Sequence, residues 1–80
     1  MARYFFILHE CGTVTPDPDG RDFASLEAAH AAAVQDARAI MCEELGSGSL
    51  CLSCHIDITT DQGEFVERVM FKDTVAVTGV

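Results

Sequence analysis

Eighty residues, 49% hydrophobic and 22% charged, suit one domain with one modest core and exclude both a disordered chain and a two-domain protein. Thirteen acidic against five basic side chains give a formal net charge of −8, and the cations Arg3, Arg21, Arg38, Arg68 and Lys72 are scattered, which excludes nucleic acid as a direct partner. Only five uninterrupted apolar residues follow Arg3, short of the roughly 7–15 of an export signal and the roughly 20 of a membrane span, so residues 1–80 are expected to form one cytoplasmic domain without a membrane partner.

Residues 4–9 read as a first strand, with Tyr4, Phe6 and Leu8 on one face and Phe5, Ile7 and His9 on the other. Both faces are apolar, which suits a strand covered on both sides, either by its own fold or by another molecule. Cys11 and Gly12 turn the chain, residues 13–15 can form a short second strand, and the Pro, Asp and Gly cluster at 16–20 is a loop.

Residues 26–45 form the clearest element, a helix about 30 Å long at 1.5 Å per residue. Ser25 is suited to cap its N-terminus, Glu27 puts negative charge in the first turn, no Gly or Pro interrupts residues 28–44, and Gly46 is placed to cap the C-terminus. Leu26, Ala29, Ala33, Ala37, Ile40 and Met41 share one flank, with Glu27, Gln35, Arg38 and Glu43 across from them. A stripe of alanines lets the helix lie close to a sheet but brings little apolar area.

After the flexible residues 46–49, strict alternation over residues 50–59 predicts a strand, with Leu50, Leu52, Cys54, Ile56 and Ile58 inward and Cys51, Ser53, His55, Asp57 and Thr59 outward. Asp61, Gln62 and Gly63 make a hairpin turn, and residues 64–71 return with Phe65, Val69 and Phe71 facing in. The tail, residues 72–80, fits an edge strand, an irregular packed segment or a frayed end. The sum is a two-layer α+β domain in ββαββ order, a mainly antiparallel sheet of three to four strands with one long helix packed on one face. The other face would expose Phe5 and Ile7, and a homodimer or another docked protein is expected there.

Cys51, Leu52, Ser53, Cys54 and His55 spell the C-x-x-C-H pattern of covalent haem attachment. That chemistry belongs outside the cytoplasm, and alternation points Cys54 inward while Cys51 and His55 point outward, so haem does not fit. Zinc or iron fits better: Cys51 and Cys54 are half of a common site, His55 adjoins them, and His9 and Cys11 would lie beside them if the first strand pairs antiparallel with the third. Cys42 lies on the polar side of the helix. Redox chemistry of the thioredoxin kind wants its C-x-x-C at a helix N-terminus, whereas this pair enters a strand. The loop from Thr15 to Gly20 has part of a calcium-loop register, but Thr15 and Leu26 occupy ligand positions and no helix leads in. His30, Ser47 and Ser49 each have a structural explanation, and no nucleophile motif occurs. No residue is assigned to catalysis and no cofactor is expected; Cys51, Cys54, His55, Cys11 and His9 stand as candidate metal ligands, and the four cysteines are expected to be free thiols in a reducing compartment.

The opening Arg3-Tyr4-Phe5-Phe6, the Asp19-Gly20 turn, the helix start Leu26-Glu27-Ala28-Ala29, Leu52-Ser53 before Ile56-Asp57-Ile58, Asp61-Gln62-Gly63 and the closing Val69-Met70-Phe71-Lys72-Asp73 resemble a family of short bacterial proteins of soil and plant-associated alphaproteobacteria, catalogued as a domain of unknown function. The resemblance implies a compact cytoplasmic α+β protein with no assigned catalytic residues. In that family the segment matching residues 51–55 often reads leucine, serine and then basic residues, which makes the full C-x-x-C-H incidental. The layout alone is similar to antitoxin domains of the HicB type, which implies protein binding only by analogy of fold. The leading expectation is a small acidic interaction or regulatory module without catalytic activity. The alternative is a metal-binding or thiol-redox module built on Cys51, Cys54 and His55.

Overall fold

The computed structural model describes residues 1–79. Five strands and one helix follow in chain order: β1 (Ala2–Glu10), β2 (Thr13–Thr15), β3 (Arg21–Phe23), α1 (Leu26–Gly46), β4 (His55–Thr60) and β5 (Phe65–Met70), with a single 3-10 turn at Phe71–Asp73. All strand pairs are antiparallel, in the order β2-β1-β4-β5, and β3 shares with β2 the outer edge of β1. The expected α+β class and ββαββ layout are what the chain adopts, with β3 adding a fifth strand to the expected three to four. Among the described residues no helix is long and apolar enough to cross a membrane.

The edge formed by β2 and β3 is interrupted. Thr15 pairs with Leu8 and Arg21 with Tyr4, so Phe6 falls opposite the loop, and a side chain replaces the missing strand. Asp17 accepts the Phe6 N–H through Oδ2 (3.1 Å) and the Gly20 N–H through Oδ1 (3.0 Å). Burial pushes the Asp17 carboxyl up, but the N–H groups of Phe6, Gly20 and Asp19 and the nearby Arg21 charge outweigh it and hold the group below the usual carboxylate range. Gly20 is required here: its φ is +69°, and a Cβ would stand 2.9 Å from the Phe5 ring.

α1 starts where Ser25 Oγ accepts the Ala28 N–H (3.1 Å). It ends at Gly46, one residue later than expected. Gly46 is still helical, and the left-handed residue is Gly48, at φ +85°. The Gly48 N–H reaches Leu45 O and the Ser49 N–H reaches Glu44 O, each at 3.0 Å, a Schellman closure. Ala29, Ala33, Ala37 and Met41 are buried against the sheet, where they meet Phe6, Cys54, Ile56, Ile58, Val69 and Phe71.

Two expectations about the later strands are corrected. Residues 50–54 are not strand; β4 begins at His55. β1 ends at Glu10 and turns at Cys11, and its ladder with β4 runs only as far as the pair His9 and His55, so the residues before His55 have no strand to lie against. Phe65 does not face the core either, being 56% exposed. Ile58 pairs with Glu67 but Thr59 with Phe65, so Val66 is an extra residue, and this bulge turns Phe65 to the helix-free face. That face also carries Phe5 and Ile7, which are half-buried rather than open, since the Phe5 ring lies against Gly20.

Of the three possibilities for the tail, irregular packing is the one adopted. Thr74 is buried, its hydroxyl donates to Phe71 O (2.8 Å), and its carbonyl accepts from Arg38 Nε (2.8 Å). Residues 75–79 are exposed, and Val80 lies outside the described residues.

Candidate functional site

The chemistry-bearing side chains gather where β1 and β4 end together. β1 runs out at Glu10 and Cys11 begins the turn to β2, while the loop from α1 delivers Cys51 to Cys54 into the start of β4. Antiparallel pairing of β1 with β4 therefore sets Cys11 against the C-x-x-C segment and His9 directly opposite His55.

The first group is sulfur. The Sγ atoms of Cys11, Cys51 and Cys54 lie within 4.8 Å of one another, Cys11 and Cys51 are 3.0 Å apart, and Ser53 Oγ is 3.3 Å from Cys51 Sγ. Cys11 is exposed, Cys51 half-buried and Cys54 buried, and all four cysteines are free thiols. Hydrogen bonds from Cys54, Ser53 and Cys11 stabilise a Cys51 thiolate and lower its pKa to about 6. Burial, and the use of its own proton to serve Cys51, push the Cys54 thiol up to about 12. The Cys11 backbone N–H also faces the Cys54 sulfur. Tetrahedral zinc with sulfur ligands at about 2.3 Å spaces its sulfurs by roughly 3.8 Å, so small side-chain adjustments would bring these three onto one ion. Three thiolates leave a fourth position open.

The second group is imidazole and carboxylate on the helix-free face. The His9 and His55 rings stack at 4.5 Å with 16° between their planes. Asp57, two residues along β4 and only 9% exposed, places Oδ2 at 3.2 Å from His9 Nε2 and 3.7 Å from His55 Nε2. Arg68, opposite Asp57 on β5, holds Oδ1 through Nε (2.8 Å) and reaches Oδ2 through Nη2 (3.3 Å). Burial pushes the His55 imidazole below its ordinary value; the Asp57 charge opposes this, while Arg68 and His9 add to it.

The five candidate ligands thus separate into two sets. Cys54 points into the core and His55 to the opposite face, as alternation requires, but Cys51 sits in a loop and its sulfur joins Cys54 and Cys11. His55 joins His9 instead, so the haem-like five residues do not act as one unit. Cys42 is exposed on α1, away from both sets. His30 Nδ1 is 2.9 Å from Glu67 Oε1, a contact between helix and sheet. A cleft of about 400 Å³ between the 16–20 loop and α1, floored by Phe6, Leu8, Ile40 and Ile56, carries neither a thiol nor an imidazole. Sequence reasoning missed Asp57 and Arg68. The signal was present, since residues 55 and 57 share a face with His9 once β1 and β4 pair, but an outward Asp in an alternating strand reads as solvated.

Residues 3–72 match the sequence model of a family described as a domain of unknown function (DUF6894). No curated protein matches the chain. No solved structure matches it either.

Proposed function

We infer that this chain, which belongs to the DUF6894 family, is a small metal-binding regulatory module whose centre is Cys11, Cys51 and Cys54 and whose ion is zinc or iron. The observation that carries the reading is the convergence of three sulfurs from two distant segments, all within 4.8 Å. Thiolate is a common ligand of structural zinc and of iron in sulfur-ligated centres, and Cys51 already leans to the thiolate. A resident ion would also fix the connection between α1 and β4, which has no ladder of its own, so binding and folding would be linked. Free thiols suit a reducing, cytoplasmic setting. Elemental analysis of protein purified without added metal tests the reading. Near-stoichiometric zinc or iron, lost in Cys51→Ser, supports it. Protein that carries no metal, and whose melting temperature a chelator leaves unchanged, overturns it.

A second reading concerns assembly. The bulge at Val66 adds exposed Phe65 to the helix-free face that already bears Phe5 and Ile7, which supports a homodimer or a protein partner on that face.

A further inference from the structure

We propose that His9, His55 and Asp57 form a second metal site, separate from the thiols, for a first-row divalent ion of the zinc or nickel kind. The argument begins with an orphaned atom. His55 Nε2 is buried without a hydrogen-bond partner among the described residues. That atom lies 3.7 Å from Asp57 Oδ2, and in the Nδ1–H tautomer its lone pair is directed at the carboxylate. A lone pair facing a carboxylate oxygen across that gap is a repulsive arrangement that a cation between the two relieves.

His9 supplies the third donor. Its Nε2 lies 3.2 Å from the same Oδ2, and the three donor atoms are all within 4.8 Å of one another. As a ligand, His9 carries its ring proton on Nδ1 and offers the Nε2 lone pair to the ion. The outer shell is already built: Arg68 clamps the Asp57 carboxylate, Nε on Oδ1 at 2.8 Å and Nη2 on Oδ2 at 3.3 Å, and Oδ2 keeps a further lone pair for the ion. Two imidazoles and one carboxylate select zinc or nickel over calcium and magnesium, which demand more oxygen ligands. The β1 and β4 register holds His9 opposite His55 on paired strands, so the site sits on rigid sheet rather than on a loop.

The test uses the full chain carrying Cys11→Ser and Cys51→Ser, which removes the thiol centre and keeps buried Cys54, so its outcome is independent of the thiol reading. Nickel(II) is titrated while the imidazole C–H signals are followed by NMR. One saturable equivalent is expected, broadening His9 and His55 but not His30, with affinity falling about tenfold or more in His55→Ala and in Asp57→Asn. Asp57→Asn keeps the side-chain shape should His55→Ala fail to fold. The proposal is overturned by absence of saturable binding, by equal broadening of all three histidines, or by unchanged affinity in a folded variant of either residue.

Discussion

Cys51 and Cys54 are separated by two residues and behave as opposites, because one thiol receives hydrogen bonds from its neighbours and the other is buried. Iodoacetamide at neutral pH is accordingly expected to label Cys51 well ahead of Cys54, with the Cys51 rate falling as pH drops through about 6; peptide mapping by mass would show it, and equal labelling in the folded protein would contradict the geometry. Asp17 makes a second prediction at this scale. Its folded pKa is depressed, so its stabilising effect is present above the ordinary value of 3.8 and is lost as pH falls below that through the folded value. Asp17→Ala leaves the Phe6 N–H without its acceptor and should cost about 1–2 kcal/mol near neutral pH. The deficit against the parent should shrink in acid, as read by denaturant melts at several pH values. The candidate ligands themselves were legible as residue types, but their grouping was not, because alternation along a strand reveals faces and says nothing about which strand lies alongside.

At the level of elements, the helix was the most legible part, since Ser25 and the stripe from Leu26 to Met41 mark it from local pattern alone. Its end was misplaced because Gly46 and Gly48 are both suitable residues, and only the hydrogen bonds closing back to Leu45 and Glu44 decide between them. Gly48→Ala forces a Cβ into a left-handed backbone and is expected to lower stability by about 1 kcal/mol, whereas Gly46→Ala, inside the helix, should be neutral or slightly stabilising. Thermal melts of the two variants would separate them, and the reverse order would place the cap at Gly46. The start of β4 and the facing of Phe65 were illegible for a different reason. One depends on where β1 stops, the other on a single inserted residue in a pairing between two strands, and neither leaves a mark in the local alternation.

At the scale of the whole molecule, one alanine-striped helix covers one side of the sheet, and the core draws its bulk from Phe6, Phe71, Ile56, Ile58 and Met41. The opposite side mixes apolar Phe5, Ile7 and Phe65 with the His9, His55, Asp57 and Arg68 cluster. If that side is a homodimer interface, light scattering after size exclusion should give twice the 8.6 kDa chain mass, and Phe65→Glu should return it to one. A monomer at high concentration would remove the assembly reading while leaving both metal sites standing.

The interrupted edge of β1 has a bearing on how the protein behaves when crowded. A sheet grows into fibres by adding strands to a continuous row of open backbone groups. Here one border consists of two three-residue pieces separated by a loop whose carboxylate already occupies the Phe6 amide. That border offers an incoming strand no long run to zip onto. The other border, β5, is bent by the bulge at Val66 and carries the charges of Glu67 and Arg68, so neither of these edges offers a long, flat template.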